Sequence, residues 1–191
     1  NLVIEGATTG NAYGCASTFL MESGKWYWEF SRPNKSGATH TGVCIADSHV
    51  NKNAYNSSYH WMFAMDSGYA EDDKFKKVNG GTWTTFTGSL QLTTTDVMQI
   101  AFDADAGKIW FGRNNTWLGS GDPVAGTGEA FSGISDASGI LAAHEDASAP
   151  DWTHYNFGAD SSFAGILTPQ GNQDANGIGD FYYEPPSGFL A

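Results

Sequence analysis

Apolar and polar residues alternate with a period of two over much of the chain, and helical periodicity is almost absent. In Lys25-Trp26-Tyr27-Trp28-Glu29-Phe30, the rings of Trp26, Trp28 and Phe30 share one face, and Lys25, Tyr27 and Glu29 share the other. This predicts a half-buried strand with a heavily aromatic side. Thr41-Gly42-Val43-Cys44-Ile45-Ala46 is apolar on both faces and suits a central strand covered on both sides. Val97 to Phe102 alternates again, with Met98, Ile100 and Phe102 together. Asp103 to Gly107 is turn chemistry, and Lys108-Ile109-Trp110-Phe111 returns as its partner strand. Asn114-Asn115 makes a second turn into Thr116-Trp117-Leu118, because Asn tolerates positive φ. Ile140 to Ala143 and Trp152 to Phe157 predict two further strands, whereas residues 47–81 and 119–139 are polar, Gly-rich and predict long loops. Many short strands without helices predict an all-β fold, a sandwich of two antiparallel sheets. Its core should hold Trp26, Trp28, Phe30, Ile100, Phe102 and Phe111.

Composition supports that picture. Twelve Phe, 8 Tyr and 7 Trp supply apolar surface for a core, and 24 Gly in 191 residues supply turns. No internal repeat or Pro/Ser linker divides residues 1–191, which predicts one domain. The chain begins at Asn1 without a signal-like segment, as a piece of a longer chain would. No apolar run of about 18 residues is present to insert as a membrane helix. Nine Lys plus Arg against 21 Asp plus Glu leave a net charge of −12, which repels phosphate backbones and argues against nucleic-acid partners. The same balance favours a neutral or cationic ligand and is common on extracellular and virion surfaces. Cys15 and Cys44 are too few for a disulfide framework; they are a pair if their strands adjoin, or otherwise two small buried side chains.

These segments resemble the SPRY domain family, whose fold is a concanavalin A-like jelly-roll sandwich. The resemblance runs through Ser23 to Glu29, Gly42 to Ala46, Asp96 to Asp103, Gly107 to Phe111, Arg113-Asn114-Asn115 and Asn156-Phe157-Gly158. The family usually has Asn-Gly where this chain has Asn114-Asn115. The tail from Asp160 through Gly179-Asp180-Phe181-Tyr182-Tyr183 to Phe189 is similar to the version found in bacteriophage structural and tail proteins. The resemblance implies a non-catalytic recognition module that holds ligands in variable loops. The phage version implies a virion surface, tail-fibre or capsid-decoration role within a homo-oligomeric assembly. Its partners would be a host-surface protein or glycan, or else neighbouring virion subunits.

Candidate ligand contacts are Tyr55, Asn56, Tyr59, Asn114 and Asn115. They combine ring surface with amide donors and acceptors, and none is needed to complete an alternating strand. Trp61, with Met62 and Phe63, either joins that set or begins a core strand. The loop Gly171 to Asp180 carries oxygen side chains at Asp174, Asn176 and Asp180 between glycines. It is either a turn-rich structural loop or part of a Ca²⁺ site, although Ile178 and Pro185 fall where a full loop needs acids. No other cofactor is implied. His144-Glu145-Asp146 predicts a polar loop, since adjacent strand residues point to opposite faces and cannot converge. HExxH, P-loop and G-x-S-x-G patterns are absent from the sequence. A glycosidase needs two carboxylates roughly 5–9.5 Å apart, and only Glu29 lies in a predicted strand, alone on its face. The expected function is therefore binding, not catalysis.

Overall fold

The computed structural model describes residues 2–5, 13–34, 39–48, 59–65, 74–76, 83–85, 92–146 and 152–190. Among these residues twelve strands form the fold. They are β1 (Leu2–Glu5), β2 (Tyr13–Ala16), β3 (Lys25–Asn34), β4 (Thr39–Ile45), β5 (His60–Met65) and β6 (Lys74–Lys76), then β7 (Trp83–Thr85), β8 (Val97–Asp103), β9 (Lys108–Arg113), β10 (Thr116–Trp117), β11 (Ile140–Asp146) and β12 (Trp152–Asn156). The first sheet has the order β1-β12-β3-β8-β9-β10 and the second β2-β11-β4-β5-β6-β7, with every strand pairing antiparallel. The fold is the predicted all-β sandwich.

Register decides which side chains meet between the sheets. Trp28 lies opposite Ile100, Phe30 opposite both Met98 and Tyr155, and Ile100 opposite Phe111, so the aromatic face of β3 continues across the first sheet. Val43, Trp61, Phe63, Ile140 and Ala142 meet it from the second sheet, with the Phe63 and Phe111 ring centroids 5.6 Å apart. Gly42 in mid-strand has a steric reason: a Cβ there would run into the Trp61 carbonyl oxygen of β5. One polar link crosses the core. The Tyr155 hydroxyl of the first sheet lies 2.6 Å from Thr41 Oγ1 and 2.9 Å from His144 Nδ1 of the second.

Five of the six expected core residues are buried, and Trp26 is the exception. It sits near the start of β3, partly exposed, stacked on Phe19 and donating its indole N–H to the Ser23 carbonyl at 2.8 Å. Two other expectations change, and the alternatives left open for the cysteines are decided. The stretch 47–81 is not wholly loop: β5 runs through it with every residue buried, which resolves Trp61 as core, and β6 follows. His144-Glu145-Asp146 is not a loop but the end of β11, with His144 turned into the sandwich toward Tyr155. Neither cysteine is in a disulfide. β11 separates their strands, and Cys15 aligns with His144 while Cys44 aligns with Leu141, which places the two thiols on opposite faces.

Trp28 is 1% exposed at the centre of this packing. Trp28→Ala should lower stability by about 3–5 kcal/mol in a denaturant titration; an unchanged midpoint would contradict this account of the core.

Candidate functional site

The turn between β9 and β10 is set by two consecutive left-handed residues, Asn114 at φ 47° and Asn115 at φ 62°. Two such residues make the tight hairpin turn whose twist matches that of the flanking strands. The Asn114 side chain is committed at both ends. Its Oδ1 accepts the Val97 N–H at 3.0 Å and its Nδ2 donates to Asp96 Oδ1 at 2.6 Å. Asp96 Oδ2 in turn accepts the Thr93 N–H at 2.6 Å and pairs with Arg113 Nη2 at 2.8 Å. Partial burial opposes ionisation of Asp96, but the Thr93 and Asn114 donors and the Arg113 charge outweigh it and hold its carboxyl below the ordinary range.

From this turn a chain of hydrogen bonds runs over the outer face of the first sheet. The Asn115 N–H donates to Gln99 Oε1 at 2.7 Å, Gln99 Nε2 to the Tyr27 hydroxyl at 3.1 Å, and that hydroxyl to Glu29 Oε1 at 2.9 Å. Glu29 is fully buried and accepts three more donors: Tyr183 N–H on Oε1 at 2.7 Å, Tyr182 N–H on Oε2 at 2.8 Å and Asn156 Nδ2 on Oε2 at 3.3 Å. Residues 158–190 thereby form a strap across the sheet. Asn156 Oδ1 begins it by accepting the N–H groups of Gly158, Ala159 and Asp160. Phe181 and Phe189 pack on Tyr27, Ala101 and Trp110. Leu190 ends it, donating to the Lys25 carbonyl at 2.9 Å and accepting the Tyr27 N–H at 3.0 Å beside the start of β3. Burial pushes the Glu29 carboxyl from an ordinary 4.5 up to about 7, although all four donors pull the other way.

The sequence profile of the SPRY domain matches residues 25–141, well over half of the chain. The chain belongs to the SPRY domain family. Among solved structures, the crystal structure of the SPRY domain of human HERC1 is similar in fold, with a TM-score of 0.59 and 19% identity over 80% of this chain and 86% of that one. No curated protein matches the chain in sequence. SPRY domains are generally non-catalytic modules for protein–protein interaction. The matched SPRY stretch ends before the strap.

Within this SPRY sandwich Tyr59 and the Asn114-Asn115 turn do not come together. Tyr55 and Asn56 lie outside the described residues. Tyr59 is exposed at the start of β5, where its carbonyl accepts the Ile45 N–H. That end of the sandwich continues through Ala46 and Gly139 to Ile134, which bonds to Gly107 at the start of β9. Asn114 and Asn115 are at the finish of β9, so Tyr59 and the Asn turn occupy opposite ends. Of the turn residues, Asn114 is a structural clamp, whereas Asn115 stands exposed beside exposed Thr116.

The Asp174 loop also closes on itself. Asp174 is buried, and its Oδ1 accepts the N–H groups of Asn176 at 2.8 Å and Ile178 at 3.0 Å, while Asn176 is exposed and Asp180 is held by backbone bonding to Gly158. The described residues contain no group of three or more His, Cys, Asp or Glu placed to share a metal ion. Sequence reasoning missed Gln99, Asn156 and the role of Glu29. Their signal was the strand parity that put Tyr27, Glu29 and Gln99 on faces away from the rings.

Two outcomes follow for this region. The folded carboxyl of Glu29 titrates above its unfolded value, so its stabilising contribution is complete below about pH 4.5 and is lost as pH rises through about 7. At ~1.4 kcal/mol per pH decade the loss amounts to roughly 3 kcal/mol. Glu29→Gln should flatten that part of the stability–pH curve, and an unchanged slope would reject the assignment. At the turn, Asn115→Gly should raise stability by about 0.5 kcal/mol by relieving the left-handed strain. Asn114→Gly should lower it by about 1–2 kcal/mol through lost side-chain bonds. Thermal melts of both variants test the distinction.

Proposed function

We propose that this chain is a non-catalytic recognition module that binds a protein partner through the rim around the β9–β10 turn, in a virion or other extracellular assembly. The carrying observation is the network of hydrogen bonds beneath that turn. Asn114, Asp96, Arg113 and Gln99 hold it from below, while Asn115, Thr116 and the neighbouring Thr93 to Thr95 present exposed hydroxyls and amides. A contact surface already fixed by its scaffold loses little conformational freedom on binding. The setting is supported by the net charge of −12 and by the resemblance of the tail to phage structural proteins. The reading requires no cofactor.

A host glycan and a neighbouring virion subunit are the competing ligands, and three measurements separate them from a protein partner. A photo-reactive residue in place of Asn115, in the full parent assembly, should give adducts with a different protein and none with copies of the chain. A glycan array probed with the purified chain should stay blank, and native mass spectrometry should find it monomeric. An array signal lost in Asn115→Ala would replace the protein with a glycan. Adducts only between copies would make the chain a structural subunit.

A further inference from the structure

The two sheets are left open along the side where β1 and β2 are both edge strands. β1 pairs only with β12 among the described residues, so its outer backbone groups meet no neighbouring strand. Leu2 and Ile4 align with the inward positions Tyr155 and Thr153 and therefore face between the sheets, as does Cys15 of β2. Between them lies a cavity of about 290 Å³, walled by Leu2, Ile4, Cys15, Phe19, Ala142 and Phe157, with His144 and Tyr155 also lining it. Leu2 and Val3 are about half exposed. β1 contains no Lys, no Pro and no inward-pointing charge, the stronger of the usual edge protections.

The charge around this opening is one-sided. The segments that form it, residues 2–5, 13–23, 140–146 and 152–156, contain exposed Glu5 and Glu22, buried Glu145, and no Lys or Arg. A second copy would bring the same carboxylates and the same net −12 to the contact, so charge disfavours self-pairing.

We propose that the open β1–β2 edge is a second docking surface, which takes an extended partner segment of alternating apolar residues flanked by Lys or Arg. The segment adds as a strand outside β1, satisfies its backbone edge and places an apolar side chain at the mouth of the cavity. This surface is separate from the Asn115 rim and does not depend on the reading of that rim.

The probe is a synthetic peptide alternating valine and threonine between flanking lysine pairs. Controls carry glutamate pairs in place of the lysines, or N-methylated backbone positions. Cys15 reports locally, because its exposed thiol lines the cavity. A saturating concentration of the lysine peptide should slow Cys15 alkylation about tenfold and slow amide exchange in β1, and neither control should do so. Leu2→Lys, at a half-exposed position, should weaken the peptide at least about tenfold, as should Cys15→Phe, read by amide exchange, which fills the cavity from its rim. Asn115→Ala should leave the affinity unchanged. The proposal fails if the lysine peptide does not bind, or if the glutamate peptide binds equally well. It also fails if both edge variants keep parent affinity. Sedimentation showing dimers that Leu2→Lys dissolves would assign the edge to a second copy and overturn it.

Discussion

The first sheet needs cover on both faces, and the second sheet can supply only one. Its central strands β3 and β8 are buried throughout from Tyr27 to Arg32 and from Val97 to Asp103, with Trp28, Phe30, Ile100 and Phe102 turned inward and Tyr27, Glu29, Gln99 and Ala101 turned outward. The outward set contains a carboxylate, an amide and a phenol. Stripped of water, each has to find a partner within the protein. The strap of residues 158–190 answers both needs, covering the apolar part with Phe181 and Phe189 and the carboxylate with two backbone N–H groups. Much of the tail's conformation follows from that one demand.

Glu29 shows how closely the opposing terms balance. Four donors favour its ionised form, yet burial wins and leaves the carboxyl titrating near neutrality. The group therefore contributes specificity of placement more than net stability: it fixes where Tyr182 and Tyr183 cross the sheet. The same network reaches the β9–β10 turn through Tyr27 and Gln99. The strap and the exposed Asn115 thus belong to one hydrogen-bonded unit, which explains how a short loop at the end of the sandwich stays rigid.

What the sequence disclosed follows the same physics. Period-two alternation made β3, β8 and β9 legible, and the turn residues at Asp103 to Gly107 and Asn114-Asn115 set their pairing. The inner core was read from the alternating faces of β3, β8 and β9. β5 was harder, because six consecutive buried residues carry no alternation and their neighbours are polar. The strap was not legible as a covering element, since irregular chain has no period to betray what it covers. The separation of Tyr59 from the Asn turn was hidden for a related reason. Tyr59 and Asn115 have the same surface chemistry, but which end of a sandwich a loop occupies is fixed by strand order, and that order appears only in the fold.

A buried acid with a near-neutral pKa is the kind of group that marks catalytic sites in other folds. Its surroundings here favour a different role. A general acid must present its proton to a substrate, and a general base needs an oxygen lone pair directed at one. Both oxygens of Glu29 are instead turned toward donors of the protein itself, beneath residues 182–183, and the residue has no exposed surface. A substrate would have to displace the strap and break the hydrogen bonds that hold it, uncovering Tyr27 and Trp110 on the way. The perturbed acidity is thus a consequence of anchoring the tail. In the proposed reading, recognition is left to the parts of the sandwich that packing does not consume, namely its end loops and the β1 edge that no described strand pairs.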